Sequence, residues 1–184
     1  MKNFIGVLIG LVIISAVIVY GLYSAKKQSV VMVVTSFSEC VAAGNAVMES
    51  YPRQCRTEAG QTFTEYIGNE LEKTDLIRLN HPRPNQTISS PLTISGEARG
   101  FWFFEASFPF KLLDAEGKIL TQTFATADGE WMTEEFVPFM ATVEFSSTVS
   151  GSGLLILERD NPSGLPEHDD SLVVPLWLGT ETEN

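Results

Sequence analysis

The chain has 184 residues, with 12 lysines and arginines against 23 aspartates and glutamates, a formal net charge of −11. That length allows one domain with extensions or two small modules, and it excludes large multidomain assemblies. A nucleic-acid-binding protein needs a basic surface to neutralise phosphates, so the acidic balance argues against nucleic acid as a partner. Composition alone names neither a ligand nor a reaction.

The first predicted element is a membrane-spanning helix. Residues 4–23, which begin with Phe4 and end with Tyr23, form an uncharged and almost wholly apolar run. At about 1.5 Å per residue such a helix is about 30 Å long, which matches the hydrocarbon core of a bilayer. A cleaved signal peptide is the alternative, but its apolar region is normally only about 7–15 residues long. We therefore predict an uncleaved anchor in residues 1–27, with the lipid bilayer as its partner.

Two cysteines, Cys40 and Cys55, follow this anchor in a short polar stretch. A disulfide that closes a loop of this length contributes about 3 kcal/mol in the chain-entropy model. Because disulfides form in oxidising compartments, the predicted bond places residues 28–184 outside the cytoplasmic membrane and the N-terminus in the cytoplasm. The alternatives are two free thiols in a cytosolic domain, or a metal site, for which the neighbouring sequence offers no further ligand.

A small module is predicted over residues 28–66. Ser36 and Glu39 have the spacing of a capping box, which indicates a short helix that ends near Ala43. Residues 54–65 are typical of a hairpin around a Gly-containing turn. The predicted unit is therefore a helical turn that the disulfide clamps to a small hairpin. The polar residues 67–74 that follow predict a linker.

From Asp75 onward the sequence changes to short runs of alternating polar and apolar residues, separated by Pro, Gly, Asn and Asp. The clearest run has these residues on one face: Phe104, Ala106, Phe108, Phe110 and Leu112. Pro109 in the same run indicates an edge or a bulge. Seven strands are predicted, over residues 76–80, 92–97, 104–112, 118–126, 137–145, 154–159 and 172–178. We therefore predict a mainly β fold, an immunoglobulin-like β-sandwich over residues 75–178 with an acidic tail in 179–184; a closed barrel is the alternative.

Several segments of this region carry a family resemblance. They are His81-Pro82-Arg83-Pro84-Asn85-Gln86, Pro91-Leu92-Thr93-Ile94-Ser95-Gly96, Trp102-Phe103-Phe104-Glu105 and Ala127-Asp128-Gly129-Glu130-Trp131. In this arrangement they are similar to the bacterial spore germination immunoglobulin-like domain. The resemblance covers about residues 75–178 and implies a non-enzymatic module of membrane-associated or secreted proteins. Residues 39–55 resemble a small cysteine-paired unit of bacterial exported proteins.

Catalytic motifs are sparse in this sequence. Its two histidines, His81 and His168, lie neither in a Gly-x-Ser-x-Gly setting nor near a cysteine, and no Gly-rich phosphate loop is present. We therefore predict a protein that is not an enzyme and that carries no cofactor. An enzyme would need a cleft in which His168 meets a serine or a carboxylate.

One candidate site is the acidic loop of residues 160–170, which includes Asp160, Glu167, Asp169 and Asp170. Carboxylates and backbone carbonyls are the ligands that Ca²⁺ takes in groups of six to eight. This loop therefore suggests a calcium-stabilised structural domain of the cell envelope. The alternative is a solvated loop whose carboxylates cap turns.

The other candidate site is aromatic. Residues 101–104 and Trp131 contain more aromatic area than one sandwich face can hide, because alternate residues of a strand point to opposite sides. An exposed aromatic face with Trp102 and Trp131 would bind a protein or another cell-envelope partner. The alternative is that a helical turn or the N-terminal module covers these side chains. The leading hypothesis is a membrane-anchored, extracytoplasmic, non-enzymatic binding module.

Overall fold

The structure is a computed structural model that describes residues 33–146 and 150–179. The described residues form two compact units: the first contains residues 33–49 and Gln54–Phe63, and the second contains Ser50–Arg53 with residues 64–146 and 150–179. The predicted anchor lies outside the described residues. Within the described part of the chain, no helix is long and apolar enough to cross a membrane.

The small unit contains helix α1 (Phe37–Ala42), which begins as the sequence predicts. The Ser36 hydroxyl accepts a hydrogen bond from the Glu39 backbone N–H at 3.2 Å. The Glu39 carboxylate accepts one from the Thr35 N–H at 2.7 Å, one residue before the position that a standard capping box uses. A three-stranded sheet follows, in the order β1 (Ala46–Met48), β2 (Gln54–Arg56), β3 (Thr62–Thr64).

The disulfide between Cys40 and Cys55 is confirmed, with an Sγ–Sγ distance of 2.01 Å. It joins α1 to β2, as predicted. Both cysteines are fully buried, and they are the only buried residues among those that the structure describes in this unit. The disulfide therefore takes the place of the hydrophobic core that so short a segment cannot build.

The larger unit consists mainly of one hydrogen-bonded sheet of eight strands. Every strand that the sequence predicts is present within a few residues, and β5 is an addition because two residues are too short for a periodic pattern. The strands are β4 (Ile77–His81), β5 (Thr87–Ile88), β6 (Leu92–Arg99), β7 (Ser107–Asp114), β8 (Ile119–Ala127), β9 (Phe136–Val143), β10 (Gly151–Glu158) and β11 (Ser171–Leu178). Their order in the sheet is β4-β6-β9-β8-β7-β10-β11-β5.

This sheet folds over on itself between β8 and β9, which pair through only two residues each. The long strands on both sides of that junction bury one face in a single hydrophobic core. The ring of Phe108 on β7 contacts that of Phe139 on β9 with centroids 4.9 Å apart, although β8 lies between the two strands in the sheet order. The sandwich-like arrangement is thus confirmed, and the strand order is open from β4 to β5 rather than closed into a barrel.

Strand β7 begins later than predicted. Glu105 and Ala106 have φ angles of 48° and 61°, which form a left-handed turn, so the strand starts at Ser107. The prediction that Phe104 joins the inward face is therefore wrong, and Phe104 is 42% exposed. At Pro109 the only neighbour of β7 is β8, because β10 pairs with residues 110–114. The missing N–H of this proline therefore interrupts no pairing with β10.

The segment predicted as a linker, residues 67–74, contains helix α2 (Glu70–Lys73). The Asn69 side chain donates a hydrogen bond to the Ser171 carbonyl at 2.9 Å and accepts one from the Val173 N–H at 2.8 Å. Its amide group thus replaces a neighbouring strand at the edge of β11. Asn69 and Thr74 of this segment bond to backbone through their side chains, whereas Glu70 and Lys73 pair with side chains. A polar sequence pattern does not distinguish these roles from those of a solvated linker.

Candidate binding cleft

The structure does not support the predicted aromatic face. Trp102 is fully buried, because the chain makes a 3₁₀ turn over Gly100–Trp102 where the prediction assumes a strand. Its indole Nε1 has no hydrogen-bond partner in the part of the chain that the structure describes. Trp131 is half-buried and packs against the core. The prediction that Trp102 is part of an exposed docking face is therefore wrong, whereas Trp131 is only partly buried and its role in binding stays a prediction.

The acidic loop does not gather its carboxylates. Asp169 accepts a hydrogen bond from the Asn161 amide at 2.7 Å, and Asp170 forms an ion pair with Lys73 at 2.5 Å. Burial, together with the nearby Glu105 carboxylate, raises the pKa of Asp160. Glu167 lies in an exposed 3₁₀ turn. Within residues 33–146 and 150–179, no three His, Cys, Asp or Glu side chains are placed to hold a metal ion.

The same loop brings His168 to a serine: the Ser163 hydroxyl lies 3.0 Å from His168 Nδ1. That hydroxyl donates to the Asn161 side-chain oxygen at 2.5 Å and accepts from the Leu165 N–H at 3.2 Å. Its proton is therefore directed at an amide rather than at the imidazole, whereas a nucleophilic serine must give its proton to the base. These contacts join residues of one exposed loop, and their effect is to close it.

A cleft of about 320 Å³ opens beside strands β10 and β11. In the antiparallel register Ser152 lies opposite Trp177, and the side chains of both strands alternate between the core and this outer face. Two exposed aromatic side chains line the cleft: Tyr66, which is 64% exposed, and Trp177, which is 48% exposed. Asn85 and Asp114, the last residue of β7, also line it.

Three polar side chains of the cleft keep atoms without a partner. Asp114 Oδ1 accepts hydrogen bonds from the N–H groups of Glu116 and Lys118 at 3.1 and 2.8 Å, whereas its Oδ2 accepts none from the residues that the structure describes. The Asn85 Nδ2 donates to the Tyr66 carbonyl at 2.9 Å, whereas its Oδ1 accepts no hydrogen bond from the described part of the chain. The Ser152 hydroxyl makes no hydrogen bond within the described residues. Each polar group is thus oriented by the fold or by its strand and retains bonding capacity toward a ligand.

The wall of the cleft that carries Tyr66 and Asn85 rests on a buried carboxylate. Glu65 accepts hydrogen bonds from Arg53 Nε and Nη2 at 2.8 and 2.5 Å, and from Asn85 Nδ2 at 3.1 Å. The hydrogen bonds from Arg53 hold the pKa of Glu65 below its usual range. The ion-paired Glu65 therefore helps to position the Asn85 amide, which also donates to the backbone carbonyl of Tyr66.

A second buried carboxylate, Glu70, lies in the same unit. It forms an ion pair with Arg83 at 2.7 Å and accepts a hydrogen bond from the Tyr51 hydroxyl. Burial first, and then the hydrogen bond to Glu70, raise the pKa of Tyr51 to about 12. Tyr51 therefore stays neutral and bonded at any physiological pH.

Acid is expected to weaken the larger unit through Glu65. Because the folded-state pKa is lowered, its contribution to stability is present above the unfolded pKa of about 4.5 and is lost as pH falls through the folded value. Melting temperatures measured from pH 7 to pH 3 should fall more steeply for the wild type than for Glu65→Gln. Glu72→Gln, at an exposed site on α2, should follow the wild type; parallel wild-type and Glu65→Gln curves would contradict this assignment.

Part of the chain that forms this cleft matches a known protein family. Residues 76–164 match the family described as the immunoglobulin-like domain of bacterial spore germination. No curated protein and no solved structure gave a significant match to the chain. The germination immunoglobulin-like match includes Asn85, Asp114 and Ser152, but Tyr66 and Trp177 lie outside it. The two aromatic side chains are therefore contributed by the segments on either side of the matched domain.

Sequence reasoning did not single out the cleft. One signal was available, because Trp177 lies at the outward position of the last predicted strand, in step with Val173 and Pro175. Tyr66 carried no such signal, since it lies between the predicted hairpin and the predicted linker. Only the folded chain brings it beside β11.

Proposed function

We propose that this chain is a non-enzymatic binding module, tethered to the cytoplasmic membrane and acting on its outer side. The cleft between Tyr66 and Trp177 carries the binding part of this proposal. A half-exposed tryptophan on a sheet face leaves apolar surface in contact with water. A ligand that covers the ring would remove this surface from water. Pockets with apolar walls and a few oriented polar groups are the usual form of small-ligand sites.

The tether rests on the apolar run of residues 4–23, whose length suits one crossing of a bilayer. The outer location rests on the disulfide, since cysteines of cytosolic proteins are kept reduced. Residues 28–184 carry nine basic and 23 acidic side chains, because three of the 12 lysines and arginines lie in residues 1–27. This acidic surface suits neutral or cationic partners better than anionic ones.

Retention on cell envelopes tests the proposed binding. The full chain, purified in a non-ionic detergent, is mixed with washed bacterial envelopes, and the bound fraction is measured after sedimentation. Trp177→Ala should lower the apparent affinity at least about tenfold, as expected for an aromatic contact at the centre of a site. The matched control is Phe124→Ala, an aromatic side chain on β8 that is 58% exposed and does not line the cleft. Equal losses in the two variants would overturn the assignment of the cleft.

A further inference from the structure

The chemistry of the cleft identifies a ligand class, and this inference rests on the proposed function. We infer that the cleft binds a neutral glycan, with a sugar ring stacked on Trp177 or Tyr66 and its hydroxyl groups bonded to Asp114, Asn85 and Ser152. Three properties of the cleft favour this ligand class: its aromatic surfaces, its unpaired polar atoms and its charge.

The aromatic surfaces suit the faces of sugar rings. A pyranose presents C–H groups on its two faces and hydroxyl groups around its rim. The faces of indole and phenol rings are electron-rich, so they attract the weakly positive C–H groups as well as providing apolar contact. Trp177 and Tyr66 both keep about half or more of their surface exposed, and Pro175 and Leu176 add apolar surface to the lining of the same cleft.

The polar atoms suit hydroxyl groups. Asp114 Oδ2 and Asn85 Oδ1 are acceptors, and the Ser152 hydroxyl is both donor and acceptor. A sugar hydroxyl can donate to the first two and exchange hydrogen bonds with the third. The Asp114 Oδ1 and Asn85 Nδ2 atoms are already held by backbone groups, so the acceptors need little further ordering when a ligand binds.

The charge of the cleft selects against other small ligands. None of the described residues that line it is a lysine or an arginine, so phosphate and carboxylate ligands would find no cationic partner among them. The Asp114 carboxylate, the single one among the described lining residues, accepts two backbone N–H bonds, which reduces its attraction for an ammonium group. A volume of about 320 Å³ lies near the lower end of ligand pockets, so it accommodates a short oligosaccharide segment rather than a folded partner.

Fluorescence titration with defined oligosaccharides tests the inference. The full chain is kept in a detergent without a sugar headgroup, and the probes are cellohexaose and the hexamer of N-acetylglucosamine. Of the three tryptophans, Trp177 is the most exposed, so saturable quenching or a blue shift is expected on binding. Tyr66→Ala should weaken binding of the probe at least about tenfold, whereas Tyr66→Phe keeps the ring and should retain it.

A second set of variants separates contact from folding. Asp114→Asn keeps an oxygen for the Glu116 and Lys118 amides but replaces the free acceptor by a donor, so it should weaken sugar binding without lowering the melting temperature. Affinity electrophoresis in gels that contain hydroxyethylcellulose provides the second readout, in which Phe124→Ala should migrate like the wild type and Trp177→Ala should be less retarded.

The outcomes are distinguishable from failure of the proposed function. If neither hexamer binds and the polysaccharide causes no retardation, the glycan inference is wrong; envelope retention that still depends on Trp177 would then leave the binding module intact. If no sugar binds but poly-lysine or choline competes with envelopes for the chain, the ligand of the cleft is cationic and the glycan inference is wrong. If Trp177→Ala changes neither sugar binding nor envelope retention, both proposals fail.

Discussion

Gly68→Ala is expected to lower the free energy of unfolding of the larger unit by about 3 kcal/mol or more. Gly68 has a φ of +74°, and an added Cβ would lie 1.8 Å from the backbone oxygen of Val173. Neither the glycine nor the β11 carbonyl can move without breaking the bonds that hold Asn69 to that strand. Urea denaturation of the full chain, followed by tryptophan fluorescence, measures the loss.

Gly117→Ala is the matched control for this prediction. Gly117 has nearly the same backbone conformation, with a φ of +80°, but an added Cβ would meet no heavy atom within 4 Å. The control should therefore show only the conformational cost of a left-handed alanine, about 1 kcal/mol. If the two substitutions cost the same, residues 67–74 do not pack on β11 and act as the linker that their composition suggests.

Removal of the disulfide should have the second large effect, confined to the small unit. Replacing Cys40 and Cys55 together by alanine removes a stabilisation of about 3 kcal/mol in the chain-entropy model. Since the described part of this unit has no other buried side chain, that loss should leave α1 and β2 largely unfolded. Hydrogen exchange measured by mass spectrometry should show lost protection in Phe37–Ala42 and in Gln54–Arg56.

The larger unit provides the internal reference for that experiment. Its hydrophobic core contains neither cysteine, so β7 and β10 should keep their protection from exchange in the double variant. Unchanged protection throughout the small unit would show that other contacts stabilise it. Loss of protection in both units would contradict the separation of the two cores.

The strands could be predicted because their signal is local. Phe108, Phe110 and Leu112 alternate with polar or partly exposed residues, and all three are fully buried on β7. The disulfide could be predicted as well, since only two cysteines are present. The capping pattern at Ser36 and Glu39 likewise needs only four neighbouring residues.

The errors arise where the chain departs from regular structure. The aromatic run of residues 101–104 contains a 3₁₀ turn, which directs Trp102 into the core. The side chains of Phe101 and Phe104 remain 46% and 42% exposed. Left-handed backbone at Glu105 and Ala106 is rare for such residues, and composition does not reveal it. The exposure predicted for Trp102 is wrong for this reason.

The sequence by itself determined the strand pattern, the disulfide and the acidic charge of this protein, because each depends on residue type and short spacing. Only the tertiary structure decided which aromatic side chains are exposed and which polar atoms remain unpaired. The cleft joins Tyr66, Asn85, Asp114, Ser152 and Trp177 from separate segments of the chain. Burial depends on what packs against a residue, and no local pattern carries that information across so long a separation.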